Sequence, residues 1–315
     1  MASNWEEFYS SQPKPAGLED SERLLNNFCI KHFAGDTKVV LVTSGGTTVP
    51  LEHNTVRFVD NFSAGTRGSV SAEFFLKQGY AVIFMYRLKS LQPFSRHFTG
   101  QKFLDMLELT ETKDKTSITG NINHIEIIAE VVQGYKAALK DGKLLELSFT
   151  TIAEYLWLLR SACQALAFLK ESCILYLAAA VSDFYIPADE MSVHKISSSK
   201  PQTISFQLVP KILAPLVSLW VPNAFVVSFK LETDKDLLIA KARDALDKYK
   251  HKLVIANMLQ NRKQQVTLVT QKSSCVINLT EEQLESGEEI EKYIIINFTN
   301  NHKTGLLLTQ FLQNI

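Results

Sequence analysis

The stretch that decides the fold is Lys38-Val39-Val40-Leu41-Val42-Thr43-Ser44-Gly45-Gly46-Thr47-Thr48. Its first half is apolar and β-branched, which predicts a buried strand ending in a Ser-Gly-Gly-Thr turn. A polar loop with glycines follows at residues 56–68 and leads into a helix predicted from Ser69 to Gln78. Glycines let backbone N–H groups approach an anion and a helix start adds a positive dipole, so the layout is typical of a phosphate site. Two ordinary loops at the end of a sheet also fit this composition.

Strands and helices alternate along the rest of the chain. Further strands are predicted at Tyr80–Tyr86, Leu145–Phe149, Cys173–Ala180, Ala224–Phe229 and Lys252–Ala256. Most of these runs are continuously apolar, which is typical of strands covered on both faces, and Thr151 with Glu154 has the spacing of a helix-starting capping box. We therefore predict the α/β class, with a doubly wound, Rossmann-like, mostly parallel sheet whose ligands bind beyond the carboxyl ends of its strands.

Two regions depart from this pattern. Thr203–Val209 and part of residues 265–279 alternate apolar and polar side chains, which predicts antiparallel strands with one face toward water or a partner. A flap projecting from the main sheet and an ordinary edge hairpin fit the alternation equally well. The predicted organisation is a polar N-terminal arm at 1–20 and a single Rossmann-like domain at 21–315, with flap segments near 186–210 and 262–280.

Charge and composition exclude several classes of protein. Lys plus Arg and Asp plus Glu both number 33, so no global field attracts nucleic acid or a membrane surface. The four cysteines are scattered, which predicts neither a zinc site nor a disulfide framework. The N-terminus lacks a secretory pattern, and the longest apolar run, Cys173–Val181, is shorter than the roughly 20 residues that span a bilayer. We expect a cytoplasmic protein without nucleic-acid or membrane partners.

Small or polar residues stand where the predicted strands end. They are Ser44-Gly45-Gly46, Ala178-Ala179-Ala180, Ser182-Asp183, Ser228-Phe229 and Ala256-Asn257. Because these small or polar residues all stand at strand ends, we predict a cleft at that edge of the sheet. The alanine run suits either close packing or the approach of a flexible substrate, and Asp183 taken alone is more often a helix cap than a catalytic group. Asn61 is either a turn residue or an amide donor to a carboxylate or acyl oxygen.

Four strings resemble those of the eukaryotic phosphopantothenate–cysteine ligases. They are Val42–Leu51, Arg57–Gly68, Ala178–Tyr185 and Ser228–Thr233, in order within a similarity that runs from about Lys38 to about Thr270. The resemblance implies a ligase that joins 4'-phosphopantothenate to L-cysteine through an acyl-nucleotidylate, releasing AMP and pyrophosphate, in coenzyme A biosynthesis. It also implies a homodimer, in which the alternating segments help form the dimerisation element.

The same resemblance implies roles for individual residues. The positions matching phosphopantothenate contacts are Asn61, Ala179, Ala180 and Asp183, with Arg57 reaching the substrate held mainly by the partner subunit. The positions matching nucleotide contacts are Gly45, Ser63, Gly65, Gly68, Phe229 and Asn257. Lys195 matches a flap lysine associated with forming the activated acyl group, so Asn61 and Lys195 are the catalytic candidates. A lysine in a polar loop is otherwise usually only solvated.

The nucleotide is expected to be ATP, because Ser228–Glu232 resembles the eukaryotic form, whereas the bacterial type uses CTP. Mg²⁺ is expected to be held mainly by phosphate oxygens and water, since no protein ligand cage is visible. Two rival functions are an NADP-dependent reductase, with Arg87 and Lys89 receiving a 2'-phosphate, and a non-catalytic nucleotide-binding scaffold. Against the reductase, no G-x-G-x-x-G follows the first strand and no tyrosine has lysine four residues later.

Overall fold

The computed structural model describes residues 4–112 and 115–304. The strands are β1 Val39–Ser44, β2 Thr48–Pro50, β3 Phe58–Asp60, β4 Ala81–Arg87, β5 Leu107–Thr112, β6 Lys115–Gly120, β7 Leu144–Phe149, β8 Cys173–Leu177, β9 Phe184–Tyr185, β10 Gln207–Leu208, β11 Phe225–Glu232, β12 Leu253–Met258, β13 Gln265–Val269 and β14 Ser274–Asn278. The helices are α1 Asn4–Ser11, α2 Leu18–Ala34, α3 Thr66–Lys77, α4 Gln101–Asp105, α5 Ile125–Lys140, α6 Ile152–Leu166, α7 Leu213–Pro215, α8 Lys235–Tyr249, α9 Glu281–Glu285 and α10 Ile290–Thr304.

The main sheet has the order β14-β13-β12-β11-β8-β1-β4-β7. The neighbours from β12 to β7 pair in parallel, while β13 and β14 pair antiparallel at one edge. Numbered by sequence, the parallel strands stand in the order 3-2-1-4-5-6, which is that of the doubly wound dinucleotide-binding fold. The predicted α/β class is confirmed, and the strand order reverses between β1 and β8.

Strand β1 lies at the centre of the core because both of its faces are covered. Val39 and Leu41 pack toward α2 and α6, whereas Val40 and Val42 pack toward α3 and α10. All four side chains have no exposed surface, and each contributes about 1.5–3 kcal/mol by leaving water. The apolar run therefore becomes a central strand between two helical layers.

Helix α6 begins at the predicted capping box. The Thr151 hydroxyl oxygen accepts a hydrogen bond from the Glu154 backbone N–H at 3.2 Å, and the Glu154 carboxylate accepts one from the Thr151 N–H at 3.3 Å. Helix α3 begins at Thr66, three residues before the predicted start, because Gly65 serves as its N-cap. Its first turn therefore includes part of the polar loop.

The alternating segments take two different forms. Strands β13 and β14 form an antiparallel hairpin at the edge of the main sheet. The side chains of Val266 and Leu268 in β13 are buried. Residues 193–206 contain no strand, and β9 with β10 makes only a two-residue ladder. The segment near 262–280 is thus an edge hairpin instead of a projecting flap, and its part in dimerisation stays a prediction.

The N-terminal residues form a packed helix. In α1, Phe8 and Tyr9 are buried, and the Tyr9 hydroxyl donates to the Leu156 carbonyl at 2.8 Å. The Arg160 guanidinium lies 4.8 Å from the centre of the Tyr9 ring, between aromatic side chains of α1 and α6. This differs from the polar arm predicted for residues 1–20, because the aromatic residues of α1 have a hydrophobic surface to cover.

Candidate functional site

The glycine turn after β1 lies at the point where the strand order reverses. Gly45 has a φ of 82°, a left-handed conformation that suits glycine. The Ala180 N–H donates to the Gly45 carbonyl at 2.8 Å, and the Thr47 N–H donates to the Ala180 carbonyl at 3.0 Å. The Ala179 N–H donates to the Thr43 hydroxyl at 3.2 Å. The fold therefore brings Gly45, Ala179 and Ala180 together, as the sequence predicts.

Asn61 lies directly against this turn. Its N–H donates to the Thr47 carbonyl at 3.1 Å, and a Cβ added at Gly46 would be 1.6 Å from the Asn61 carbonyl oxygen. Gly46 is thus required by close backbone approach, a role that the sequence does not reveal. The half-buried Asn61 amide side chain makes no hydrogen bond to any described residue, so its donor and acceptor remain available to a ligand.

The start of α3 is fitted closely to the end of β1. The Ser44 hydroxyl donates to the Gly65 carbonyl at 3.0 Å, and a Cβ added at Gly68 would lie 2.4 Å from the Ser44 Cβ. Gly65 caps the helix with a φ of 83° and provides no side-chain cap. The first N–H groups of α3 therefore remain available beside Ser63, as an anion site requires.

Two cavities flank this centre. The β4 cavity has a volume of about 550 Å³ and is lined by Ser63, Ala64, residues 87–92, Ser95, Arg96 and Thr99. The β8–β11 cavity has a volume of about 300 Å³, and its lining includes Ala179, Asp183, Lys211, Ser228 and Phe229. Of the predicted site residues, Ser63 lines the β4 cavity, and Ala179, Asp183 and Phe229 line the β8–β11 cavity.

At the mouth of the β8–β11 cavity, Asp183 is held by an ion pair. Its carboxylate is 2.9 Å from the Lys211 ammonium, and its carbonyl accepts from the Val209 N–H at 2.9 Å. Both charged side chains are more than half exposed, so the pair itself stabilises the fold by no more than about 1 kcal/mol. Asp183 is therefore a surface anion accompanied by a cation, and Lys211 is a cavity-lining residue that sequence reasoning missed.

A buried histidine supports the interior wall of the same cavity. The Ser228 hydroxyl and the His251 Nε2 are 2.8 Å apart, and His251 is 3% exposed. Burial lowers the pKa of His251 to about 4, so the imidazole is neutral at pH 7. Its Nδ1 has no hydrogen-bond partner among the described residues. The sequence carries no signal for this pair, because 23 residues separate its members.

Arg57 and Lys195 belong to a separate pair of loops. The Arg57 guanidinium donates to the Glu52 carboxylate at 2.8 Å and 3.0 Å, and to the Ile196 carbonyl at 2.6 Å. Glu52 is fully buried; burial opposes its ionisation, but hydrogen bonds from Arg57, Ile196 and Val56 lower its pKa. Arg57 is thereby fixed next to the 195–196 backbone with 40% of its side chain exposed.

Lys195 itself is exposed and forms no ion pair with residues in the described ranges. The Arg57–Ile196 contact places the loop of Lys195 next to the loop that carries Arg57, whereas Asn61 lies at the glycine turn. The two catalytic candidates are therefore held by different parts of the fold.

Asn257 anchors α3 from the end of β12. This side chain is 5% exposed; its amide nitrogen donates to the Lys230 carbonyl, and its oxygen accepts from Arg67, both at 3.3 Å. Arg67 also donates to the Glu291 carboxylate at 2.8 Å. Phe229 lies nearby with its ring edge-to-face on Tyr176 at 5.0 Å. The Asn257 side chain thus already has protein partners that fix Arg67 in the first turn of α3.

Within residues 4–112 and 115–304, no three or more His, Cys, Asp or Glu side chains are grouped to hold a metal ion. The same residues contain no helix that is long and apolar enough to cross a membrane.

The sheet order, the glycine turn and the uncapped helix start define a doubly wound α/β protein with a candidate phosphate site at the end of β1. Residues 159–296 match the DNA/pantothenate metabolism flavoprotein C-terminal domain. The chain is 45% identical to the human phosphopantothenate–cysteine ligase over 293 residues, which cover 92% of this chain and 94% of that protein.

The Saccharomyces cerevisiae phosphopantothenate–cysteine ligase CAB2 is 42% identical over 289 residues, covering 84% of this chain and 77% of that protein. A solved structure of a Cab2 mutant in complex with phosphopantothenate-cysteine has a TM-score of 0.85 at 39% identity, covering 95% of this chain and 97% of the other. The chain belongs to the phosphopantothenate–cysteine ligase family. The resemblance seen in the sequence is confirmed.

Proposed function

We propose that this protein joins 4'-phosphopantothenate to L-cysteine through an acyl-nucleotidylate, with AMP and pyrophosphate as the other products, in coenzyme A biosynthesis. The observation that carries the proposal is the unpartnered Asn61 amide beside the uncapped start of α3. It supports one site for both a carboxylate and a phosphate. Identity of 45% with the human ligase over 92% of this chain favours this function over a reductase or a scaffold.

The proposed reaction needs activation because a carboxylate does not condense with an amine at neutral pH. A carboxylate oxygen attacks the α-phosphorus of the nucleotide, and the bond to pyrophosphate breaks. The N–H groups at the start of α3 offset negative charge on the phosphates, while the Asn61 amide donates to the acyl oxygen. Backbone groups of Ala179 and Ala180 line the substrate path without intervening side chains. The cysteine amine then displaces AMP.

The β8–β11 cavity suits the substrate arm. Its walls are largely apolar, and the Asp183–Lys211 pair lies at its mouth. A pantothenoyl chain carries one amide and a hydroxyl on an aliphatic frame, so it needs such walls with a few polar groups. Ser228, supported by His251, supplies one hydroxyl inside. Asp183 positions the chain at the entrance.

ATP is the proposed nucleotide, with CTP as the alternative. Mg²⁺ bound to the phosphate oxygens would offset their charge. Lys195 is proposed to act on the phosphoryl centre from its exposed loop. We propose a cytoplasmic location for the protein, which cell fractionation would test.

We also propose a homodimer with a shared site. Arg57 is immobilised by the buried Glu52 yet keeps 40% of its side chain exposed, which suits contact with a neighbouring subunit. Phe58, Val59 and Phe62 next to it are exposed apolar residues. A second copy of the chain would cover them and receive the Arg57 guanidinium.

Release of pyrophosphate from ATP tests the function. Multiple turnovers should require phosphopantothenate and cysteine together, with product formation followed by mass spectrometry, and CTP should replace ATP poorly. A nucleotide-binding scaffold would release none, and a reductase would oxidise NADPH. Faster release with CTP than with ATP would overturn the nucleotide assignment alone.

A further inference from the structure

The β4 cavity is the larger of the two cavities beside the glycine turn, and the predicted site residues leave most of its wall unassigned. One wall is the loop at Ser63 and Ala64, and the other is the segment that follows β4. The Leu91 N–H donates to the Ala64 carbonyl at 2.9 Å and joins the walls. The cavity therefore shares a boundary with the start of α3.

The segment after β4 contains two strained residues. Lys89 has a φ of 73° and Phe94 has a φ of 63°, both in the positive range that favours glycine. Each non-glycine residue held there costs on the order of 1 kcal/mol or more. Such strain is retained where the rest of the structure enforces it, often at functional sites.

Buried ionic contacts hold the segment in place. The Phe94 N–H donates to the Glu73 carboxylate at 2.8 Å, and Arg96 donates to the same carboxylate at 2.7 Å and 3.0 Å. Arg96 also donates to Glu289 at 2.6 Å and 2.9 Å. Burial opposes ionisation of Glu73, but hydrogen bonds from His97, Arg96 and Phe94 lower its pKa to about 2. The cavity wall is therefore rigid at neutral pH.

The charges lining the cavity are unequally compensated. Arg87 lies 2.6 Å from Asp60, and Arg96 is shared by its two carboxylates. Lys89 has no carboxylate partner among the residues that the structure describes. The Ser90 hydroxyl oxygen is buried without a partner, 3.1 Å from the positions that a Cβ on Gly45 or Gly65 would take. Lys89 thus contributes an exposed, uncompensated ammonium to the lining of the cavity, whereas the Ser90 hydroxyl is buried against the glycine turn.

We propose that the β4 cavity binds the pyrophosphate end of the nucleotide, with Lys89 as its ligand. The inference rests on the proposed function, in which the pyrophosphate leaves with the electron pair of its bond to the α-phosphorus. Ser63 and the start of α3 separate the cavity from Asn61, so a triphosphate bound at that start has the cavity at its far end. Lys89 offsets the charge that develops on the leaving group.

Calorimetric titration with Mg·pyrophosphate tests the site without turnover. Lys89→Gln should weaken binding by about tenfold or more, because a charge-assisted contact is lost. Lys136→Gln, on the exposed surface of α5, is the matched control and should bind as wild type does. Lys89→Gly should lose binding while its Tm does not fall, since glycine relieves the positive φ.

Wild-type affinity in both Lys89 variants would overturn the assignment, as would failure of the wild-type protein to bind Mg·pyrophosphate. If Lys136→Gln weakened pyrophosphate binding as much as Lys89→Gln does, the loss would reflect only the change in net charge, and the assignment of Lys89 would also be rejected. Inorganic phosphate should bind more weakly than pyrophosphate, and equal affinity would contradict a site for two phosphoryl groups. If the wild-type protein bound pyrophosphate through Lys89 but had no ligase activity, the proposed ligase reaction would be rejected and the pyrophosphate site would stand.

Discussion

Gly68→Ala is predicted to separate the first turn of α3 from β1. The added Cβ would lie 2.4 Å from both the Cβ and the Oγ of Ser44, whereas ordinary contact begins near 3.4 Å. The helix start must therefore move by about 1 Å, because the Ser44 backbone belongs to the central strand and yields little.

The stability cost of this change is moderate. Overpacking costs about 1–3 kcal/mol, and the better helix propensity of alanine offsets about 1 kcal/mol of it. Activity is more sensitive, since a displacement of about 1 Å at groups that position a reacting phosphate costs about 10²-fold. We expect kcat/KM to fall about 100-fold while the free energy of unfolding changes by no more than about 2 kcal/mol.

Pyrophosphate release under saturating phosphopantothenate and cysteine gives the activity, and urea unfolding gives the stability. Ser44→Gly removes the opposing Cβ and is the matched partner variant. The single variant Ser44→Gly loses the hydroxyl contact with Gly65. The double variant, Ser44→Gly with Gly68→Ala, should recover most of the kcat/KM that Gly68→Ala loses. Wild-type activity in Gly68→Ala, or a double variant no better than Gly68→Ala alone, would refute the steric reasoning.

Three further predictions concern acid stability, the amide and the shared site. The folded pKa of His251, about 4, is below its unfolded value of 6.5, so its contribution of about 3 kcal/mol is present above pH 6.5 and lost as pH falls toward 4. Urea unfolding between these pH values should show a shallower pH slope, by up to one proton, for His251→Gln; parallel slopes would contradict this. Asn61→Asp should fold normally but lose ligation, because it places negative charge beside anionic substrates, and unchanged turnover would return Asn61 to a turn role. Mixed dimers of Arg57→Ala and Asn61→Asp chains, refolded in equal amounts, should recover about a quarter of wild-type activity if Arg57 serves the partner's site. No recovery, with mixed dimers confirmed by mass spectrometry, would place both residues in one chain's site.

The sequence by itself determined the class of fold and the position of the glycine turn after β1. Strand β1 is recognisable because its burial on both faces requires a continuous apolar run, and α6 because its capping contacts lie only three residues apart. Gly45 and Gly65 were predictable because a turn or a helix start is formed by a few consecutive residues, and the left-handed conformation there favours glycine. These features depend on neighbours in sequence, so local patterns carry them.

Only the tertiary structure decided which distant side chains meet. The Asp183–Lys211 pair joins residues 28 apart, and the Arg96–Glu289 contact joins residues 193 apart. The sequence of α1 is typical of a polar segment, and only the fold shows its Tyr9 packed beside Leu156, which lies 147 residues later in the chain. A single sequence does not show such pairs because chain folding, and not spacing along the chain, sets the distance and the burial that give each contact its energy.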